Sequence, residues 1–328
     1  MGDAARPGTE RLRHAAGAER LRHTALLYRT QAEFTVAVLD FIEAGVSAGE
    51  YVLVAATGPS LYRLQARLDH RGEFLTWADM SSSGSNPRRV TSAVRMFAEQ
   101  HPGQRIRCVQ ESAWHSRPAA EVCEAIRQEA LVNLALAGSW AAVLCAYDVR
   151  LDAGTIAGAE RTHPVMIRDG CQQASASYTV GGSIPAECDR PLSRPPPGAV
   201  ALTYRHDQRA VRHFAADRAR LAGLSPERTG DLVIAVGELA GNTLTHTSGP
   251  GTLTAWVMDG EIICQVQDSG QITDPLAGTR RPHAADPSRG RGLWVVDQLC
   301  DLVEMRTGPG GTTVRLHIRL PAGQRHRV

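Results

Sequence analysis

Apolar and polar positions follow two rhythms along this chain, and the switches between them mark the predicted elements. A short apolar segment at residues 25–28 predicts a strand. Phe34, Val38, Phe41, Ile42 and Val46 then follow at the three- and four-residue spacing of an amphipathic helix. The unbroken run Tyr51-Val-Leu-Val-Ala-Ala reads as a buried strand, ended by the turn Thr57-Gly58-Pro59. The alternation continues with helices over residues 61–68, 89–100 and 119–137 and strands over 74–77, 105–110 and 141–148. Strands alternating with helices predict an α/β domain with a mainly parallel sheet.

After Val180 the rhythm stops. Gly181, Gly182, Pro185, Pro191 and Pro195-Pro196-Pro197-Gly198 make a stiff, polar connector, which sets the domain boundary. Beyond it, Val211, Phe214, Ala215 and Leu221 give a helix over 207–222 that ends at Gly223. Ser225 at an N-cap and Pro226 at the first helical position open a second helix running to about His246. Strands at 252–258 and 262–267 flank Asp259-Gly260, a strong hairpin signal. A Gly-, Pro- and Arg-rich loop leads to a helix at 293–302 and a closing strand pair around Gly310-Gly311. This half predicts an α+β sandwich. The expected layout is a disordered leader 1–20, a first domain 21–180, a connector 181–198, a second domain 199–321 and a tail 322–328.

Composition agrees with two soluble cores: the chain has 328 residues, 43% of them apolar and 21% charged. Its 36 Lys and Arg against 34 Asp and Glu leave a net charge of +2. That field is too weak to argue for nucleic acid, and no basic recognition helix is present. The seven cysteines are scattered singly, with no C-x-x-C pair and no His at zinc-finger spacing. They read as reduced thiols of a cytoplasmic protein. No apolar run suits a signal peptide or a membrane span, so no membrane association is expected.

The chemistry concentrates in the second domain. Glu238, Asn242 and His246 stand at i, i+4 and i+8 and so share one helix face. An amide oxygen is a hard ligand suited to Mg²⁺, and a carboxylate beside it can take the proton of an attacking hydroxyl. Asp268-Ser269-Gly270 follows an apolar strand, where the carboxylate could accept from an exocyclic amine. Gly290-Arg291-Gly292-Leu293 opens a helix whose N-terminus suits phosphate, and Gly310-Gly311-Thr312-Thr313 enters the last strand.

In this order the four motifs resemble those of the Bergerat-fold ATPase superfamily, which includes gyrase, Hsp90, histidine kinases and MutL. The resemblance is strongest to the bacterial anti-sigma-factor serine/threonine kinases. It implies a Bergerat-fold ATPase sandwich with ATP and Mg²⁺ as cofactors. Asn242 is then the Mg²⁺ ligand, Glu238 the catalytic base and Asp268 the adenine contact; Gly290 and Gly292 approach the phosphates, and His246, Gly270, Arg291, Leu293, Gly311 and Thr312 complete the nucleotide site. The family pattern D-x-G-x-G is cut short here, because Gly270 is followed by Gln271-Ile272. Residues 271–289 are the expected lid, and Arg280, Arg281 and Arg289 are its candidate phosphate contacts. His206 faintly resembles a histidine-kinase phosphoacceptor, but the stretch to Glu238 leaves no room for a dimerising hairpin.

In the first domain, residues 23–34 and 41–50, together with 141–148 and Pro164-Val165, resemble the MEDS sensory domain, which implies a RecA-like parallel sheet. Members tend to have Cys two residues after the His; here that position is Ala25. Thr57-Gly58-Pro59-Ser60 is expected where such a sheet would carry a phosphate loop, but no G-x-x-x-x-G-K-[ST] is present, so a second nucleotide site is not expected. His23 and Tyr28 are the candidates for a small sensory ligand. The implied function is an anti-sigma-type protein serine/threonine kinase governed by a sensory domain. Its partners would be a sigma factor or an anti-anti-sigma antagonist, with homodimerisation open. The alternative is a non-catalytic nucleotide-binding module that sequesters such a partner.

Overall fold

The computed structural model describes residues 20–68, 73–80, 86–282 and 290–321. The first domain is a seven-stranded sheet of order β3-β2-β4-β5-β1-β6-β7. Its strands are β1 (Leu21–Tyr28), β2 (Tyr51–Ala56), β3 (Leu75–Asp79), β4 (Ile106–Gln110), β5 (Ala141–Asp148), β6 (Val165–Arg168) and β7 (Cys171–Ala174). All neighbours run parallel except β6 and β7. That hairpin turns on Asp169 and Gly170, whose positive φ of 52° and 75° marks a tight two-residue turn.

Five helices flank this sheet: α1 (Gln31–Ser47), α2 (Gly58–Gln65), α3 (Arg88–Gln100), α4 (Ala119–Ala135) and α5 (Ala153–Thr162). Thr30 caps α1, its hydroxyl accepting from Glu33 N at 3.1 Å. Phe34, Val38 and Ile42 of α1 pack with Leu26 and Tyr28, whereas Ala25, Leu27, Cys145 and Tyr147 belong to the core on the opposite face. This division follows from strand periodicity. The central, fourth strand is β5, flanked by β4 and β1, and β2 is second from one edge. The turn Thr57–Ser60, which follows β2, therefore lies away from the sheet centre, and a carboxyl side chain of the same domain takes its amide and hydroxyl. Glu111, at the end of β4, accepts from Thr57 N at 3.0 Å and Thr57 Oγ1 at 2.6 Å.

The second domain is a five-stranded antiparallel sheet of order β11-β12-β10-β9-β8. Its strands are β8 (Val200–Tyr204), β9 (Gly251–Met258), β10 (Glu261–Asp268), β11 (Leu302–Gly308) and β12 (Gly311–Arg319). Helices α6 (Gln208–Ala222), α7 (Pro226–His246) and α8 (Arg291–Leu299) cover one face. There Ala215, Leu232, Val236 and Val296 meet Leu253, Ile262, Val314 and Leu316 in a single core. Ser225 Oγ accepts from Arg228 N at 3.2 Å and so caps α7. His206 is exposed, just before α6.

Between the two domains, the proline-rich segment is pinned rather than loose. Arg127 of α4 donates to Cys188 O at 3.1 Å, Arg306 to Arg190 O at 3.0 Å, and Arg315 to Ser193 O at 2.5 Å. Helix α4 explains its own odd composition: Glu121, Glu124 and Gln128 are buried because α4 lies between its sheet and the second domain. Glu121 there takes Arg319 at 2.5 Å. No helix among the described residues is long and apolar enough to cross a membrane.

Candidate functional site

Antiparallel register assembles the site from sequence-distant pieces. Asp268 of β10 pairs with Thr312 of β12, so the strand end after the hairpin faces the start of the last strand. Gly311 is required there. Its φ is 106°, and a Cβ would collide with the carbonyl oxygen of Asp268. Gly311→Ala is expected to destabilise the protein by about 1–3 kcal/mol through backbone strain alone. Chemical denaturation of the full chain measures this, and an unchanged midpoint would contradict it.

Helix α7 supplies the opposite wall. Asn242 and His246 line a cavity of about 280 Å³ together with Asp268, Gly270, Thr312 and the α8 start Gly290, Gly292 and Leu293. Gly290 holds a left-handed φ of 74° as the α8 N-cap, so the N-terminus of the helix, where amides lack partners within the helix, borders the cavity. Gly292 permits close approach of α8 to α7. A Cβ there would lie 3.0 Å from Glu238 Oε2 and 3.4 Å from Asn242 Oδ1. Glu238 stands one turn before Asn242 and does not line the cavity. Arg291 is exposed at the first turn of α8.

Asp268 is held at both oxygens. Gly270 N donates to Oδ1 at 2.9 Å and Thr243 Oγ1 to Oδ2 at 2.6 Å, while Tyr204 OH donates to Thr243 Oγ1 at 3.1 Å. A carboxylate has further lone pairs, so one remains available to an amine in the cavity. Thr312 Oγ1 donates to Gly270 O at 2.8 Å, which closes the turn where the second glycine of the box is missing. Sequence reasoning missed the orienting Thr243 and Tyr204, and also the apolar walls Leu239, Val266, Ile272 and Val314. Thr243 directly follows Asn242; its burial on a helix face of otherwise apolar core residues was the available signal.

The expected lid borders the cavity only at its start, Gln271 and Ile272, and its later described residues contact the first domain. Arg280 Nε donates to Glu99 of α3 at 2.9 Å, which makes it an interdomain contact in this structure. The first domain also takes Ala277 O, which accepts from Arg88 at 2.7 Å, and Thr279 Oγ1, which accepts from Arg95 at 2.8 Å. Arg281 is exposed, and Arg289 lies outside the described residues.

His23 and Tyr28 are not brought together, since they face opposite sides of the first sheet. Tyr28 pairs in register with Asp148 at the carboxyl ends of β1 and β5, and burial, with the charges of Glu111 and Asp148, raises its hydroxyl above the usual range. His23 is fully buried beside Glu129, Cys145 and His163.

Two family models match separate parts of the chain. Residues 22–164 match the family described as "MEthanogen/methylotroph, DcmR Sensory domain", or MEDS. Residues 202–318 match the family described as "Histidine kinase-like ATPase domain". No curated protein matches. Among solved structures, the chain is similar to the RsbU and RsbW domains of Rv1364c from Mycobacterium tuberculosis, at 23% identity over 39% of this chain and 34% of that one, with a TM-score of 0.29. The alignment thus spans about a third of that structure's chain. A DnaB-like replicative helicase aligns at 11% identity over 79% of this chain and 57% of its own, with a TM-score of 0.28.

Proposed function

We propose that this chain, a MEDS sensory domain followed by a histidine kinase-like ATPase domain, is an anti-sigma-type regulator with protein serine/threonine kinase activity. The observation that carries the reading is the cavity where Asn242, Asp268 and the Gly290–Gly292 turn converge from three separate elements. ATP would enter with its adenine amine at Asp268 and its phosphates at the α8 N-terminus, where backbone amides and the helix dipole favour anions. Asn242 Oδ1 is the hard oxygen donor that would hold Mg²⁺, completed by phosphate oxygens and water. The ion would neutralise charge on the phosphates as the γ-phosphoryl group moves to a serine or threonine hydroxyl of the partner. Glu238, beside Asn242, would accept that hydroxyl's proton.

The partner class is an anti-anti-sigma antagonist, with a sigma factor as the protein held in its absence. The test incubates the full chain with γ-labelled ATP, Mg²⁺ and a candidate antagonist. Label on a serine or threonine of the antagonist is the expected result. ATP binding and complex formation without transfer would favour a sequestering module. No ATP binding at all would remove both readings.

A further inference from the structure

Away from the nucleotide cavity, four side chains with metal-ligating atoms converge between the first sheet and its helices: His23 of β1, Glu129 of α4, Cys145 of β5 and His163, which follows α5. None is more than 2% exposed. His23 Nε2 lies 3.2 Å from Glu129 Oε2 and 3.3 Å from Cys145 Sγ. Cys145 Sγ is 3.3 Å from Glu129 Oε2, and His163 Nε2 is 3.7 Å from the same oxygen. Ligands at ordinary zinc distances on the corners of a tetrahedron are separated by about 3.3–3.8 Å. The four separations above fall close to those edges, and all four ligand atoms lie within 4.8 Å of one another.

Hydrogen bonding alone does not satisfy this group. His163 Nδ1 donates to Ala159 O at 2.8 Å, which leaves Nε2 as a buried lone pair with no hydrogen-bond partner. That lone pair faces a carboxylate oxygen, so two acceptors confront each other. Asn133 donates through Nδ2 to Thr162 O at 2.9 Å, so its Oδ1, 3.1 Å from His23 Nδ1, is an acceptor. Both imidazoles are therefore pinned as Nδ1–H donors with Nε2 turned inward, the orientation that outer partners impose on metal-ligating histidines. Ser112 Oγ donates to Glu129 Oε1 and leaves Oε2 for the centre.

We propose that His23 Nε2, Glu129 Oε2, Cys145 Sγ and His163 Nε2 form a closed tetrahedral site for a divalent transition-metal cation of the zinc class. Nitrogen and sulfur ligands exclude Ca²⁺ and Mg²⁺. On binding, the Cys145 thiol releases its proton to solvent as the sulfur–metal bond forms. Thiolate and carboxylate together balance the dication, so the buried centre carries no net charge. The ion joins β1, β5 and the end of α5 to α4. That helix also carries the Glu121 and Arg127 contacts to the ATPase domain, so occupancy stiffens the surface on which that domain rests.

The probe is Co²⁺ added to chelator-stripped full-length protein, followed by Zn²⁺. The expected result is a single bound equivalent with the intense visible bands of tetrahedral cobalt, a near-ultraviolet thiolate-to-cobalt band, and loss of both on adding Zn²⁺. Cys145→Ser removes the thiolate band, and His163→Ala weakens binding by more than the roughly 10–100-fold that follows loss of an outer-shell partner. Asn133→Ala keeps every ligand and is expected to weaken binding by about 10–100-fold. It guards against a ligand variant that fails to fold, and ATP binding by the same samples reports folding independently. The proposal is overturned if protein that binds ATP takes up no stoichiometric cobalt. It is equally overturned if the spectrum is that of the octahedral aqua ion, or if His163→Ala and Asn133→Ala bind as the parent does.

Discussion

Glu238→Ala is expected to lower phosphotransfer by about 10²–10⁴-fold, the contribution of a positioned general base, while leaving Mg·ATP affinity nearly unchanged. The separation of the two effects follows from where the side chain stands. Asn242 lines the cavity, whereas Glu238 lies one helical turn back, against Gly292. Removing Glu238 therefore leaves the cavity-lining Asn242, Asp268 and Gly290 in place. Asn242→Ala, by contrast, removes the proposed Mg²⁺ ligand and should lose binding and transfer together. Glu238→Gln keeps shape and hydrogen bonding but not basicity, so a loss equal to that of Glu238→Ala assigns the effect to proton transfer. Single-turnover transfer and calorimetric ATP binding on the same preparations measure both. Undiminished transfer in the Ala variant would sink the assignment.

The parts of this site that were legible in the sequence are those encoded locally. A helix face presents Glu238 and Asn242, a capped turn presents Gly290 and Gly292, and each can be read within one motif. The apolar walls could not be read so, because Val266 and Val314 meet only through the register of β10 with β12. The same limit appears in the fold. The Asp169-Gly170 hairpin carries the turn signal that revealed Asp259-Gly260, but its strand β7 is exposed along its whole length and has no apolar alternation to flag it. Strand β8 lies between the connector and the helix over 207–222, a stretch for which no element is predicted. Local composition points Arg280 at phosphate, while its partner Glu99 lies 181 residues away. The His23 cluster is the extreme case: Glu129 stands 106 residues from His23 and 16 from Cys145, spacings that no local motif contains.

Severing the buried Arg88–Asp297 pair is expected to destabilise the full chain by about 3–5 kcal/mol, because removing Arg88 strands the Asp297 carboxyl, and removing Asp297 leaves Arg88 only the longer pair to Glu124 at 3.9 Å. The two side chains are 3% and 1% exposed, and Arg88 Nε donates to Asp297 Oδ1 at 2.7 Å across the domain boundary. Around them, Asn86 Nδ2 donates to Asp297 O at 2.9 Å, and Arg89 to Asp297 O at 2.8 Å and Gln298 O at 2.5 Å. These acceptors are the last carbonyls of α8, which have no partner within the helix and favour a cation. The start of α3 thus caps the C-terminal end of α8. The other end of α8, Gly290–Gly292, lines the nucleotide cavity, and a helix of this length places the two ends only about 13 Å apart. Arg88→Ala and Asp297→Ala should therefore each change ATP affinity although neither position borders the cavity. The double replacement Arg88→Met with Asp297→Leu removes both charges and should recover much of the lost stability. Denaturant titration together with ATP calorimetry reads both quantities. If the single variants match the parent in stability and in affinity, the sensory domain does not reach the nucleotide site through α8.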